Sequence, residues 1–219
     1  MQDEMKTKMK NPFCLSNEDL KTLLEAYKDW YQGTEKERDY SVKQEKNAED
    51  IRSKFLNKSY LEETPEKKIV QDILAYSKTL EGPVNIRIGE PRVSGDFGRI
   101  KRNLLYFIDS PDDPIKKAAR ILDGDYKIPF FAKAFWTPIF NARYPDKLPN
   151  WNNKTDRFLK KIGVNISSAK LPIEEKYKLL SGAFLYLQDL DPHQGFHNIN
   201  HLMHYGTVVS EGNKLIEKL

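Results

Sequence analysis

At 219 residues, 39% of them hydrophobic and with a mean hydropathy of −0.69, the chain can bury one core or two small ones beneath a charged surface. No run reaches the roughly 18–20 apolar residues of a membrane span, and the opening MQDEMKTKMK lacks the apolar centre of a signal peptide. Neither a membrane-spanning nor a secreted protein is expected, and a cytoplasmic location is. The single Cys14 cannot form an internal disulfide and is expected to be a small buried hydrophobe between Phe13 and Leu15.

Taken in chain order, Ser16 with Asp19 three residues later predicts a capped helix whose Leu20, Leu23, Leu24, Tyr27 and Trp30 share a face up to Gly33. Residues 35–58 are densely charged and predict an exposed helix, broken near Asn47, or an arm that orders on a partner. Thr64-Pro65 predicts an N-cap followed by Pro at the first helical position, with Ile69, Val70, Ile73, Leu74 and Leu80 as the buried stripe. Val84, Ile86 and Ile88 alternate with polar residues and predict one short strand at 84–88. The following EPRVSGDFGR predicts a loop, with a soft domain boundary at 82–98 between a charged helical region, 1–82, and a helical domain, 98–219.

Phe97, Ile100, Leu104, Phe107 and Ile108 predict a helix from Asp96. Pro114 opens a short helix closed by Gly124. An aromatic helix is expected from Pro129, kinked or split by Pro138. Asn152 or Asn153 should cap a basic helix with Phe158, Leu159 and Ile162 turned inward. Pro172 opens the last long helix, and a further short one is expected over 199–205. The fold class predicted is mainly α, a multi-helix bundle with one short β element.

Three groupings could carry chemistry. His193, His197, His201 and His204 fall at spacings of four, four and three, which on one helix would share a face, although Asp191-Pro192 and Gly195 suggest a helix end between them. Without a His-Glu-x-x-His pattern or a nearby cysteine they are expected to be structural, and no metal is predicted. Asp109, Asp112, Asp113, Asp123 and Asp125 concentrate carboxylates, as magnesium-dependent nucleases do, but their positions before Pro114 and after Gly124 favour capping. The third grouping is basic. Residues 1–60 and 61–110 are each charge-neutral, whereas 111–170 hold twelve Lys and Arg against six Asp. Cations interleaved with Phe, Trp and Tyr suit a phosphate-tracking surface. Its candidate contacts are Lys127, Lys133, Arg143, Lys147, Asn152, Lys154, Arg157, Lys160 and Lys161.

Within that basic stretch stand Phe131, Ala132, Ala134, Phe135 and Trp136, then Tyr144, Pro145, Asp146, Lys147, Pro149, Trp151 and Asn152, and finally Leu159, Lys160, Lys161 and Gly163. This succession, over about 113–205, resembles a segment of McrB-type modification-dependent restriction proteins. The resemblance implies a helical DNA-recognition or adaptor module of a restriction or defence system, whose chemistry is done by an AAA+ motor and an endonuclease subunit. No Walker A sequence or catalytic triad is present, so the expected role is non-catalytic and without a cofactor. The alternative is a helical protein-interaction scaffold whose charged segment, Thr34 to Lys58, docks on another subunit.

Overall fold

The first helix is set by Ser16, whose hydroxyl accepts from the Asp19 amide while Asp19 reaches back to the Ser16 backbone, the reciprocal box that the sequence predicts. A computed structural model describes residues 10–80, 88–167 and 170–219, and within them the chain forms twelve helices and no strand. Residues 84–87 of the expected strand lie outside the described residues, and Ile88 is buried but in no strand.

The helices are α1 (Asn17–Gly33), α2 (Glu35–Lys54), α3 (Lys58–Glu63), α4 (Glu66–Thr79), α5 (Glu90–Gly95) and α6 (Phe97–Asp109). Then come α7 (Pro114–Asp123), α8 (Lys133–Arg143), α9 (Asn153–Lys161), α10 (Ile173–Leu190), α11 (Phe196–Val208) and α12 (Ser210–Lys218). Several departures from expectation have local causes. α2 passes Asn47 unbroken because Ile51 and Phe55 anchor its end in the core. Pro65 is the cap of α4 and Thr64 ends α3, since Asn57 starts an unforeseen turn of helix by accepting from Tyr60 N. The expected loop 90–99 is helical apart from a turn at Asp96: Pro91 sits in the first turn, where no amide is needed, and Val93 is buried. Cys14 is exposed, because Phe13 and Leu15 on either side of it turn inward.

The aromatic helix starts only at Lys133, because Phe130 adopts φ 73°, a left-handed conformation incompatible with helix. Phe130 is 62% exposed, and its contact is the Arg92 guanidinium 3.6 Å from the ring centre. Such strain costs about 1–3 kcal/mol, more than an exposed cation–π contact of roughly 0.5–1 kcal/mol returns. Phe130→Asn is therefore expected to raise stability by about 1 kcal/mol, read as a higher urea midpoint. A lower midpoint would show that the ring supports the turn. Pro138 does not split α8, which runs unbroken from Lys133 to Arg143.

α1 packs on α10, α11 and α12, and α2 packs on α8, so residues on both sides of 82–98 share one buried cluster. Tyr177 on α10 donates to the Pro149 carbonyl (3.0 Å) and Ser181 to that of Lys147 (2.9 Å), which holds the segment between α8 and α9. α11 and α12 meet through Gly206 and Gly212. Among the described residues no helix is long and apolar enough to cross a membrane.

Candidate ligand cleft and basic helix

The segment joining α8 to α9 is held by a buried threonine. Thr137 Oγ donates to Asn150 Oδ1 (2.8 Å) and accepts from the Trp151 amide (3.0 Å), while Asn141 donates to the Leu148 carbonyl (2.9 Å). Asn152 then caps α9, its Oδ1 accepting from the amides of Lys154 (2.8 Å) and Thr155 (3.1 Å). The Trp151 indole donates to Asp156 Oδ1 (2.7 Å), and Lys133 pairs with the other oxygen while lying 4.7 Å from the indole centre. Local hydrogen bonding thus fixes where α9 begins and which way it runs.

Between α2, the end of α4, α8, the start of α9 and α11 lies a cleft of about 560 Å³. Its cationic lining is Lys133, Lys154 and Arg157, and α2 contributes Gln44 and Asn47. Asn141, Asn150, Asn152 and Asn153 come from the α8–α9 region, and Asn200 from α11. Among the described residues, none that line the cleft is an aspartate or a glutamate.

Three of the four histidines, His197, His201 and His204, line this cleft from α11, while His193 stays in the turn before it. Lys154 Nζ stands 3.1 Å from His204 Nδ1, within hydrogen-bond distance. His197 Nε2 is 2.8 Å from Ser41 Oγ, and its ring lies 4.7 Å from that of His201. Among the described residues no group of three or more His, Cys, Asp or Glu is placed to hold a metal ion.

Burial pushes the His197 imidazole below its ordinary value, with Glu45 opposing the shift. Because the folded value lies below the unfolded one, the stabilisation is fully present above the ordinary histidine value of 6.5 and shrinks as pH falls through the folded value. Urea midpoints are expected to fall from about pH 7 to about pH 5, and to fall less in His197→Gln. The same slope in both proteins would assign the acid sensitivity elsewhere.

Of the nine basic-stretch candidates, the fold brings Lys133, Asn152, Lys154 and Arg157 together at the cleft. Lys160 and Lys161 continue exposed along α9, with Lys161 bonded to Asn213. Lys127, Arg143 and Lys147 are exposed but do not line the cleft, and Lys127 pairs with Asp123 at 2.6 Å. The role of two candidates is narrower than the sequence suggests: the Asn152 carbonyl is committed to the cap, and the Lys133 charge is matched by Asp156.

The carboxylate concentration is dispersed in ion pairs and caps. Asp109 meets Lys58 (2.7 Å), Asp113 caps α7, and Asp125 binds Arg120 (2.5 Å). Lys116, then the Tyr106 hydroxyl, hold the Asp112 carboxyl down at about 2. The crowd of asparagines over 141–153 is a legible sign of the cleft, whereas Gln44, Asn47 and Asn200 carry no local signal because distant segments bring them there.

Neither family models, curated proteins nor solved structures give a match to the chain.

Proposed function

We propose that the chain is a non-catalytic nucleic-acid recognition or adaptor module that grips phosphates along α9. The likeness of residues 113–205 to McrB-type proteins supports placing it in a restriction or defence system beside an AAA+ motor or an endonuclease subunit. One observation carries the reading: Lys154, Arg157 and Lys161, at spacings of three and four, run up one side of α9 from a cleft whose described lining residues include no carboxylate, with Lys160 beside them. Phe158, Leu159 and Ile162 are fully buried on the opposite side and keep this stripe turned outward. Phosphate contacts of this kind give affinity without sequence information.

Fluorescence anisotropy with labelled duplex and single-stranded DNA at several salt concentrations tests it. Replacing Arg157, Lys160 and Lys161 with Ala should leave stability within about 0.5 kcal/mol, because none of the three side chains belongs to the buried core. It should weaken binding and flatten the salt dependence on duplex by up to roughly 0.9 log unit for each phosphate that is no longer gripped. Undiminished binding by the folded triple variant, or no binding by the parent at low salt, removes the proposal. A scaffold role for α2 is the second reading, favoured by Val42, which is 67% exposed. A chain that stays monomeric in light scattering and whose Val42→Glu variant loses no partner would count against it.

A further inference from the structure

We infer that α10 pairs with α10 of a second copy of this chain, antiparallel about a twofold axis, with Leu185 of each copy seated over Gly182 of the other. The face concerned is left open by the fold. Tyr177, Leu180, Phe184 and Leu187 turn inward and are fully buried, and that side of α10 packs on α1, α7 and α11. Outward, Glu175, Lys178, Gly182, Leu185 and Asp189 succeed one another at spacings of three and four, the period of a seam between paired helices. Leu179 lies beside them, and both leucines are exposed, Leu179 at 47% and Leu185 at 38%.

Gly182 marks the crossing point. It stands in mid-helix, where glycine is destabilising relative to alanine, and an added Cβ would meet nothing within 4 Å. No packing within the chain therefore requires the missing side chain, in contrast to Gly206 and Gly212. On the outside it leaves a notch into which a leucine of a facing helix fits as a knob.

Charge fixes the partner and the register. When two copies of α10 run antiparallel with Leu185 opposite Gly182, the same register sets Lys178 of each opposite Asp189 of the other, and the twofold axis makes each contact twice. Asp189 is exposed and has no ion pair among the described residues. Lys178 reaches Glu174 at 3.1 Å and Glu175 at 2.8 Å, pairs exposed enough to be exchanged with little loss. Setting Gly182 opposite Gly182 would instead bring Glu175 against Asp189, like charge on like. One face thus carries knob, notch, cation and anion in the order that matches its own reverse, which points to a second copy rather than an unrelated chain.

Sedimentation equilibrium on the full chain tests the pairing. A single-helix interface belongs to the weak class, below about 1,200 Å², so the mass should rise from 25.6 kDa towards twice that value between micromolar and submillimolar concentration. Leu185→Glu and Gly182→Leu should each weaken the dimer about tenfold or more while the fold is kept, because Leu185 is exposed and the space beside Gly182 is open. Lys178→Glu and Asp189→Lys should each weaken it several-fold, and the two together, which exchange the charges, should restore it. Circular dichroism checks each variant. A monomer at every concentration overturns the inference. So does a dimer that folded Leu185→Glu leaves unchanged, a charge reversal that the double variant fails to repair, or loss of the dimer in Val42→Glu, which would move the interface to α2. None of the α10 residues belongs to the strand-binding stripe of α9, so DNA affinity bears on that reading alone.

Discussion

Trp136→Ala is expected to lower the unfolding free energy by about 3–5 kcal/mol, a large share of the roughly 5–15 kcal/mol of a typical domain. Trp136 is fully buried, lies edge-on to Phe135 (5.0 Å, 88°) and stacks with Phe140 (6.2 Å, 12°), so truncation leaves a void that rigid rings cannot close. A conservative change separates packing from polarity. The indole nitrogen is buried with no hydrogen-bond partner among the described residues, and an unmet buried donor costs about 1–3 kcal/mol. Trp136→Phe keeps much of the ring and removes that donor, so its net cost should be within about 1 kcal/mol. Urea denaturation of both variants decides the matter. If Phe costs as much as Ala, the full indole shape is what the core requires.

The second large effect lies where α11 meets α12. In open helix a Gly→Ala change stabilises by roughly 0.5–1 kcal/mol, and Gly33, with nothing within 4 Å of an added Cβ, should behave so or be neutral. Gly212 should do the opposite. A Cβ there would stand 2.5 Å from the Tyr205 carbonyl oxygen, which is backbone and cannot swing aside. Gly212→Ala is expected to destabilise by about 1–3 kcal/mol, the usual cost of overpacking. Gly206→Ala meets Ile216 Cδ1 at 2.6 Å and the Phe158 ring at 2.7 Å, and through Phe158 it presses on α9 itself. Thermal melts of the three variants should give Gly33→Ala a midpoint at or above the parent and both others below it. A stabilised Gly212→Ala would mean that the helices separate without penalty.

Elements whose signals are local are legible in the sequence. The Ser16 box, the Asp113-Pro114 start of α7, the Asn152 cap and the inward face of Phe158, Leu159 and Ile162 each depend on residues within one turn. The true start of α8 is hidden because Phe130 has no sequence mark for a left-handed backbone, which ordinarily belongs to glycine. α12 is equally hidden, since Gly212 reads as a breaker until its contact with Tyr205 gives the missing side chain a purpose. For the cleft, α9 announces its cations. The carboxamides that α2 and α11 add to the wall are illegible because these helices meet α8 only in three dimensions, over separations such as that of Ser41 and His197.

Pro138 has an effect on the cleft that its effect on α8 conceals. Lacking an amide hydrogen, it cannot donate to the Ala134 carbonyl one turn earlier, and Ala134 and Pro138 both border the cleft. The helix therefore keeps its course while retaining one backbone acceptor without its usual intrahelical donor. A main-chain oxygen needs no rotamer to be frozen and takes no charge as pH changes, so an acceptor released from the ladder in this way is insensitive to both. Restoring an amide with Pro138→Ala would return that acceptor to the helix ladder and tighten α8.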